Sequence, residues 1–344
     1  MSDRDEPSAI QDQQPAAAHP ATARLPASFN LLSIFVGREG LRAGWGILLF
    51  VVLLEGLPYV VNPLVQLLLP GAAIGAGEIP ARYAFAFEGA GVLCVLIAMG
   101  VLAMIERRPV LAYGLRPQRR TFNFLAGLIT GVLLLSLLIA CLRATGLLIF
   151  DTRLLFGPAM FRYGSIWLAG FLLVGLREEL VSRGYLQFTL TRGLAAIYRS
   201  LLGESRAEAF AFWTAALILS IAFGAGHRAN PGESPLGLLS AGLAGFLLCL
   251  SLWRTGSLWW AIGFHASWDW AQSFLYGVAD SGLIIKGRLF ATHPIGRPYL
   301  SGGLTGPEGS ILLLPVMAVG AALILFTLPG TPAQYGWEGA ALPD

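Results

Sequence analysis

Long apolar runs separated by short polar links make up this chain from about residue 43 onwards. A helix that crosses a bilayer needs about 20 mostly apolar residues. Stretches of that kind lie at Ala43–Leu69, Phe85–Ile105, Phe122–Leu142, Gly164–Thr191, Ala209–His227, Pro235–Trp253, Ser257–Val278 and Ser310–Leu328. They predict an all-α fold, a polytopic transmembrane helix bundle of about eight membrane segments. Glu55, Pro58 and Pro63 make the first segment irregular, and Glu88 opens the second. Small residues spaced four apart, as at Gly127 and Gly131, read as helix-packing surfaces. A long Gly/Pro-rich link from Ala279 to Gly309 separates the last two segments and reads as turns or a lid.

Composition agrees with the pattern. Of 344 residues, 56% are hydrophobic and 12% charged, with a mean hydropathy of +0.67. Soluble domains carry about 25% charged residues. Residues 1–30, rich in Ala, Pro, Gln and acidic groups, have no apolar core of a signal peptide and are expected to form a disordered tail. Residues 31–344 form one membrane domain. The net charge is only +3, and the basic residues, all arginine except Lys286, gather at segment ends. That distribution fits membrane topology and argues against a nucleic-acid partner. Arg38 and Arg42 precede the first segment, and Arg107, Arg108, Arg116, Arg119 and Arg120 fill the link after the second. The positive-inside rule then places the N-terminus in the cytoplasm of a multi-pass protein of the cell membrane. Cys94, Cys141 and Cys249 sit in apolar runs without CxxC spacing and read as buried apolar residues.

Ionisable side chains at membrane depth cost about 2.5–3.5 kcal/mol each on insertion scales and mark function by default. The fourth segment carries three within six residues: Glu178, Glu179 and Arg183. Glu179 and Arg183 are four apart, so they share a helix face and can pair. Glu178 is turned about 100° away and meets Ser182 at the corresponding position. Glu178 is therefore the carboxylate left for general acid–base work. A structural ion pair at a helix end would also account for these residues. His227 ends the fifth segment, and His265 and Asp269 lie four apart in the seventh. Asp269 is placed to accept from the His265 imidazole and fix its tautomer. Together with the glutamates these groups form a convergent set from separate helices. A ruler laid along straight spans puts His227 near the far end of its helix, well above His265. His293, in the long link, has no partner by spacing, and His19 lies in the tail.

The order Glu178-Glu179-xxx-Arg183, Phe223-xxx-His227, His265-xxx-Asp269 resembles the CPBP family of intramembrane glutamic endopeptidases, also called the CAAX prenyl protease or abortive-infection family. The motif region spans 166–278, and Arg183-Gly184-Tyr185-Leu186 is also similar to that family. The resemblance implies a membrane helix bundle that hydrolyses a membrane-associated protein or peptide, a prenylated C-terminus among the candidates. It implies that Glu178 activates water. It also implies that His227 and His265 position water and stabilise the oxyanion, with Glu179 and Arg183 supporting the site. Many relatives carry Asn where this chain has Asp269, whose ionised form only accepts hydrogen bonds. The expected assignment is that Asp269 supports His265. No cofactor or metal is expected. Two other readings stand beside this one. One is a zinc metallohydrolase with Glu178, His227 and His265 as ligands, although HExxH is absent. The other is a non-catalytic membrane scaffold or immunity protein.

Overall fold

The computed structural model describes residues 32–37, 40–68, 78–115 and 119–329. The expected tail, with Arg38, Leu69 and Arg116, lies outside the described residues. Helices dominate. The first long one is α1 (Ala43–Leu68). A π-helical turn at Ala84–Glu88 leads into α2 (Gly89–Ile105). After α3 (Arg120–Ala144) comes α4 (Gly157–Glu179), which runs through a π-helix at Leu180–Leu186 into α5 (Gln187–Leu202). The remainder are α6 (Glu204–Gly226), α7 (Pro235–Thr255), α8 (Trp259–Trp270) and α9 (Leu313–Thr327). Among the described residues, six helical stretches are long and apolar enough to cross a membrane, and the fold is a polytopic helical bundle.

Three departures from the expected segments have physical reasons. Pro58 and Pro63 do not interrupt α1. Proline removes a backbone donor and kinks many helices, yet membrane helices tolerate it when neighbouring groups satisfy the backbone. The fourth segment extends far past Thr191, to Leu202, because α4 and α5 join without a break. The last two segments are shorter than a span. α8 has twelve residues before a π-helical turn at Ala271–Leu275, and α9 has fifteen. α8 lies in the middle of the bundle with most of its side chains buried, so bilayer thickness does not set its length.

α8 packs mainly on α3, and glycine permits it. A methyl group on Gly127 would collide with the Trp260 carbonyl, and one on Gly263 with the Phe124 carbonyl. Gly131 faces the Phe264 carbonyl in the same way. The two backbones therefore touch, as small residues allow in membrane bundles. Around this crossing Leu134, Leu138, Trp260, Phe264, Val316 and Met317 form a core. A second core joins Phe50 of α1, Met99 and Leu102 of α2, and Tyr185. Its polar centre is the buried Glu106, which accepts from Tyr185 Oη at 3.1 Å and pairs with Arg192 at 3.4 Å. Cys94, Cys141 and Cys249 are free thiols, and Cys141 is only partly buried.

The long link is more ordered than its composition suggests. Its strand β2 (Phe290–Pro294) pairs antiparallel with β1 (Leu148–Arg153), in register Leu148↔Pro294 and Arg153↔Phe290. Neither strand was expected, since a five-residue run such as Phe-Ala-Thr-His-Pro has too little alternation to signal one. His293 finds a partner here, with Nδ1 2.8 Å from Asp151.

The α3–α8 crossing generates a stability expectation. Gly127→Val should lower the melting temperature in detergent, with an overpacking cost of about 1–3 kcal/mol or more. Gly100→Ala, whose added methyl meets no atom within 4 Å, should be neutral or mildly stabilising. Equal melting temperatures for Gly127→Val and the parent would contradict the close crossing.

Candidate active site

α4 presents both glutamates at its last turn. Because consecutive helical residues point about 100° apart, they enter different surroundings. The Glu179 side chain is completely buried, whereas that of Glu178 is 24% exposed. Glu179 Oε1 accepts two bonds of 2.8 Å, one from Arg183 Nη1 and one from His265 Nδ1. The Arg183 guanidinium also stacks on Phe223, 4.4 Å from the ring centre, a cation–π contact. Phe223 is thus the wedge of the site. Its ring lies 4.9 Å from that of His227 and 6.2 Å from that of His265.

His265 is oriented by Glu179, not by Asp269. Since a carboxylate accepts, the 2.8 Å contact to Glu179 places a proton on Nδ1 and turns Nε2 toward the other carboxylates. Nε2 is 3.7 Å from Glu178 Oε2 and 3.6 Å from Asp269 Oδ2. Both separations exceed a hydrogen bond. The expected i,i+4 bond between His265 and Asp269 is therefore replaced by a bond from a different helix. His227 lies just past the end of α6, and its Nδ1 donates to the Phe223 carbonyl at 2.8 Å, which leaves Nε2 for other partners.

One cavity of about 800 Å³ gathers Glu178, His227, His265 and Asp269 in its wall. Glu179 and Arg183 lie behind that wall. The depth gap expected between His227 and His265 is absent. α8 is a short central helix rather than a full span, so counting residues along straight spans misplaces His265.

Further groups were not anticipated from the sequence. Glu178 is not left unpaired: Arg177 Nη2 donates to its Oε1 at 3.1 Å, and Arg177 Nε also lies 2.9 Å from Glu88 Oε2. The long link turns Asp280 and Glu308 into the same cavity. Trp268 Nε1 and Ser281 Oγ donate to Glu308 at 3.2 and 3.0 Å, and Ser273 Oγ donates to Asp280 at 3.1 Å. Burial, followed by the charges of Asp269 and Glu308, holds the Asp280 carboxyl well above the usual carboxylate range. The only sequence signal for these two acids was their place in a Gly-rich link next to the motif region. His293, on the exposed β1–β2 pair, is not part of the cavity wall. Among the described residues, no three His, Cys, Asp or Glu side chains are grouped as metal ligands.

The molecule is a multi-pass membrane protein in which carboxylates and imidazoles from three helical stretches converge on one cavity. The family follows from comparison. Residues 161–271 of the 344, a stretch that contains all seven motif residues, match the family described as type II CAAX prenyl endopeptidase Rce1-like. The match covers about a third of the chain and supports the CAAX protease family for it, a family of hydrolases that act in the membrane on protein substrates. No curated protein and no solved structure matches the chain significantly.

The Glu179–Arg183 contact is testable by itself. Removing one partner of a buried pair strands the other charge and costs about 3–5 kcal/mol. Glu179→Ala and Arg183→Ala should each lower the melting temperature. The double variant should lose less than the sum, whereas strictly additive losses would mean that the two side chains do not interact.

Proposed function

We propose that this protease is of the glutamic type, with Glu178 as the general base that activates water. The observation that carries the reading is the division between two adjacent carboxylates. Glu178 faces the cavity beside both histidines, and Glu179 is closed off behind it, held by Arg183 and His265. The exposed carboxylate can reach a water molecule and a peptide carbonyl. The buried one supports an imidazole.

The steps follow from these positions. Glu178 takes a proton from water, and the oxygen attacks the scissile carbonyl carbon as the carbonyl π pair moves onto its oxygen. His227 and His265 present Nε2 groups which, when protonated, donate to that oxyanion. Such donors are among the largest contributors to acyl-transfer catalysis. The intermediate collapses, the C–N bond breaks, and Glu178 returns its proton to the leaving amine. Glu179 acts through His265 by keeping its proton on Nδ1 and its ring in place. Asp269, 3.6 Å from Nε2, is a charged neighbour of the imidazole rather than its anchor. The substrate class is a membrane-associated protein or peptide, S-prenylated C-termini included. Bulky apolar groups in the cavity wall, such as Trp167, Phe171, Phe223 and Trp268, suit an apolar substrate. The arginine-rich link between the second and third segments supports a cytoplasmic N-terminus in the cell membrane.

The experiment is hydrolysis of an internally quenched, S-farnesylated peptide by purified protein in detergent, with a transmembrane peptide run beside it. Glu178→Gln should lower turnover by about 10²–10⁴-fold, the usual contribution of a general base, with an unchanged melting temperature. Full activity in that variant would reject Glu178 as the base. Incubation with 1,10-phenanthroline should leave the rate unchanged. A loss restored by added zinc would favour the metallohydrolase instead.

A further inference from the structure

Glu178 belongs to a chain of charges that starts outside the motifs. Glu88 ends the π-helical turn before α2. Its Oε2 lies 2.9 Å from Arg177 Nε, and Arg177 Nη2 donates to Glu178 Oε1 at 3.1 Å. Arg177 immediately precedes the glutamate pair, so backbone geometry alone would not aim its side chain at its neighbour. The Glu88 ion pair supplies the aim. The space for it is also specific. A methyl group on Gly91, one turn after Glu88, would stand 2.7 Å from Arg177 Cδ. The bare glycine thus lets the arginine stem lie flat along α2.

We infer that Glu88, Arg177 and Gly91 form a positioning relay for Glu178: α2 fixes the guanidinium, and the guanidinium fixes the carboxylate through Oε1. Oε2, which points toward His265, is left for the water proton. Two carboxylates at hydrogen-bonding or ion-pair distance already occupy Arg177, so it is poorly suited to anchor a substrate carboxylate. The Arg177–Glu178 contact is a charge-assisted hydrogen bond and therefore directional, whereas Arg177 Nε and Glu88 Oε2 meet at ion-pair distance without hydrogen-bond alignment. The relay also makes the link between α2 and α4 part of the site, although α2 carries none of the motif residues. This inference rests on Glu178 being the catalytic carboxylate.

The test combines turnover with a readout that needs no turnover. Steady-state kinetics on the S-farnesylated peptide are measured for Glu88→Gln, Arg177→Gln, their double variant, Arg177→Lys and Gly91→Ala, each with a melting temperature. In parallel, esterification of Glu178 by a diazo reagent is quantified by mass spectrometry. Arg177→Gln and Glu88→Gln should each lower kcat about tenfold or more with KM changed less than about twofold, since small misplacements of a reacting group are costly. The double variant should match Arg177→Gln, because the two residues act in series. Arg177→Lys should recover part of the loss. Gly91→Ala removes no charge but pushes the arginine stem, and should also lower kcat. Esterification of Glu178 should rise in Glu88→Gln, Arg177→Gln and Gly91→Ala. Wild-type kcat in Arg177→Gln, losses that multiply in the double variant, or a change confined to KM would overturn the relay. If the parent protein leaves the peptide intact, the endopeptidase reading fails for that substrate, and the labelling still decides: a rise in all three variants supports the relay, and equal labelling overturns it.

Discussion

A single oxygen atom joins the helices around the cavity. Glu179 Oε1 accepts from Arg183 one turn along the same helical stretch and from His265 on α8. The carboxylate has no exposed surface, so it must be compensated from within the protein. Arg183 supplies the charge and His265 the second donor. Phe223 brings α6 into the same cluster by stacking under the guanidinium and against both imidazoles. Three helices are thereby brought to one depth by the need to satisfy one buried charge.

The cavity grows from that arrangement. With Glu179 committed behind the wall, Glu178, one residue earlier, is turned by the helix into the open space. The π-helix at Leu180–Leu186 follows immediately and carries Arg183, Gly184 and Tyr185. π-helical turns are frequent at functional sites. Here Tyr185 is tied to Glu106 and stacked on Phe50, 4.2 Å between ring centres, so the irregular turn is anchored to α1 and α2. Glu55 of α1 and Glu88, just before α2, also line the cavity. The long link adds Asp280 and Glu308 to the same wall.

The close α3–α8 crossing serves the site as well. It allows α8 to sit centrally, and α8 carries His265, Asp269 and the Trp268 that binds Glu308. Carbonyl-to-glycine contact leaves little freedom to slide, so the register of His265 against α4 is set by packing rather than by lipid.

Much of this was legible in the chain itself. Apolar runs and scarce charge identify a membrane bundle, because a bilayer imposes length and composition on any helix that crosses it. The ordered Glu-Glu-xxx-Arg, Phe-xxx-His and His-xxx-Asp elements pointed to side chains that gather at or behind one cavity wall, and the four-residue spacing of Glu179 and Arg183 gave their contact, since helical geometry is local. What local geometry does not contain is the arrangement between helices. Spacing favoured Asp269 as the partner of His265, yet Glu179, 86 positions away, makes the bond. Spacing also left Glu178 unpaired, because the cation beside it is a sequence neighbour held in place by a glutamate on α2. Asp280 and Glu308 reach the cavity only because the link folds back over it, and the β1–β2 pair closes between strands more than a hundred residues apart. Helix identity and short-range pairing are set by periodicity along one chain segment, whereas partners from different segments are chosen by packing, which the sequence records only as a whole.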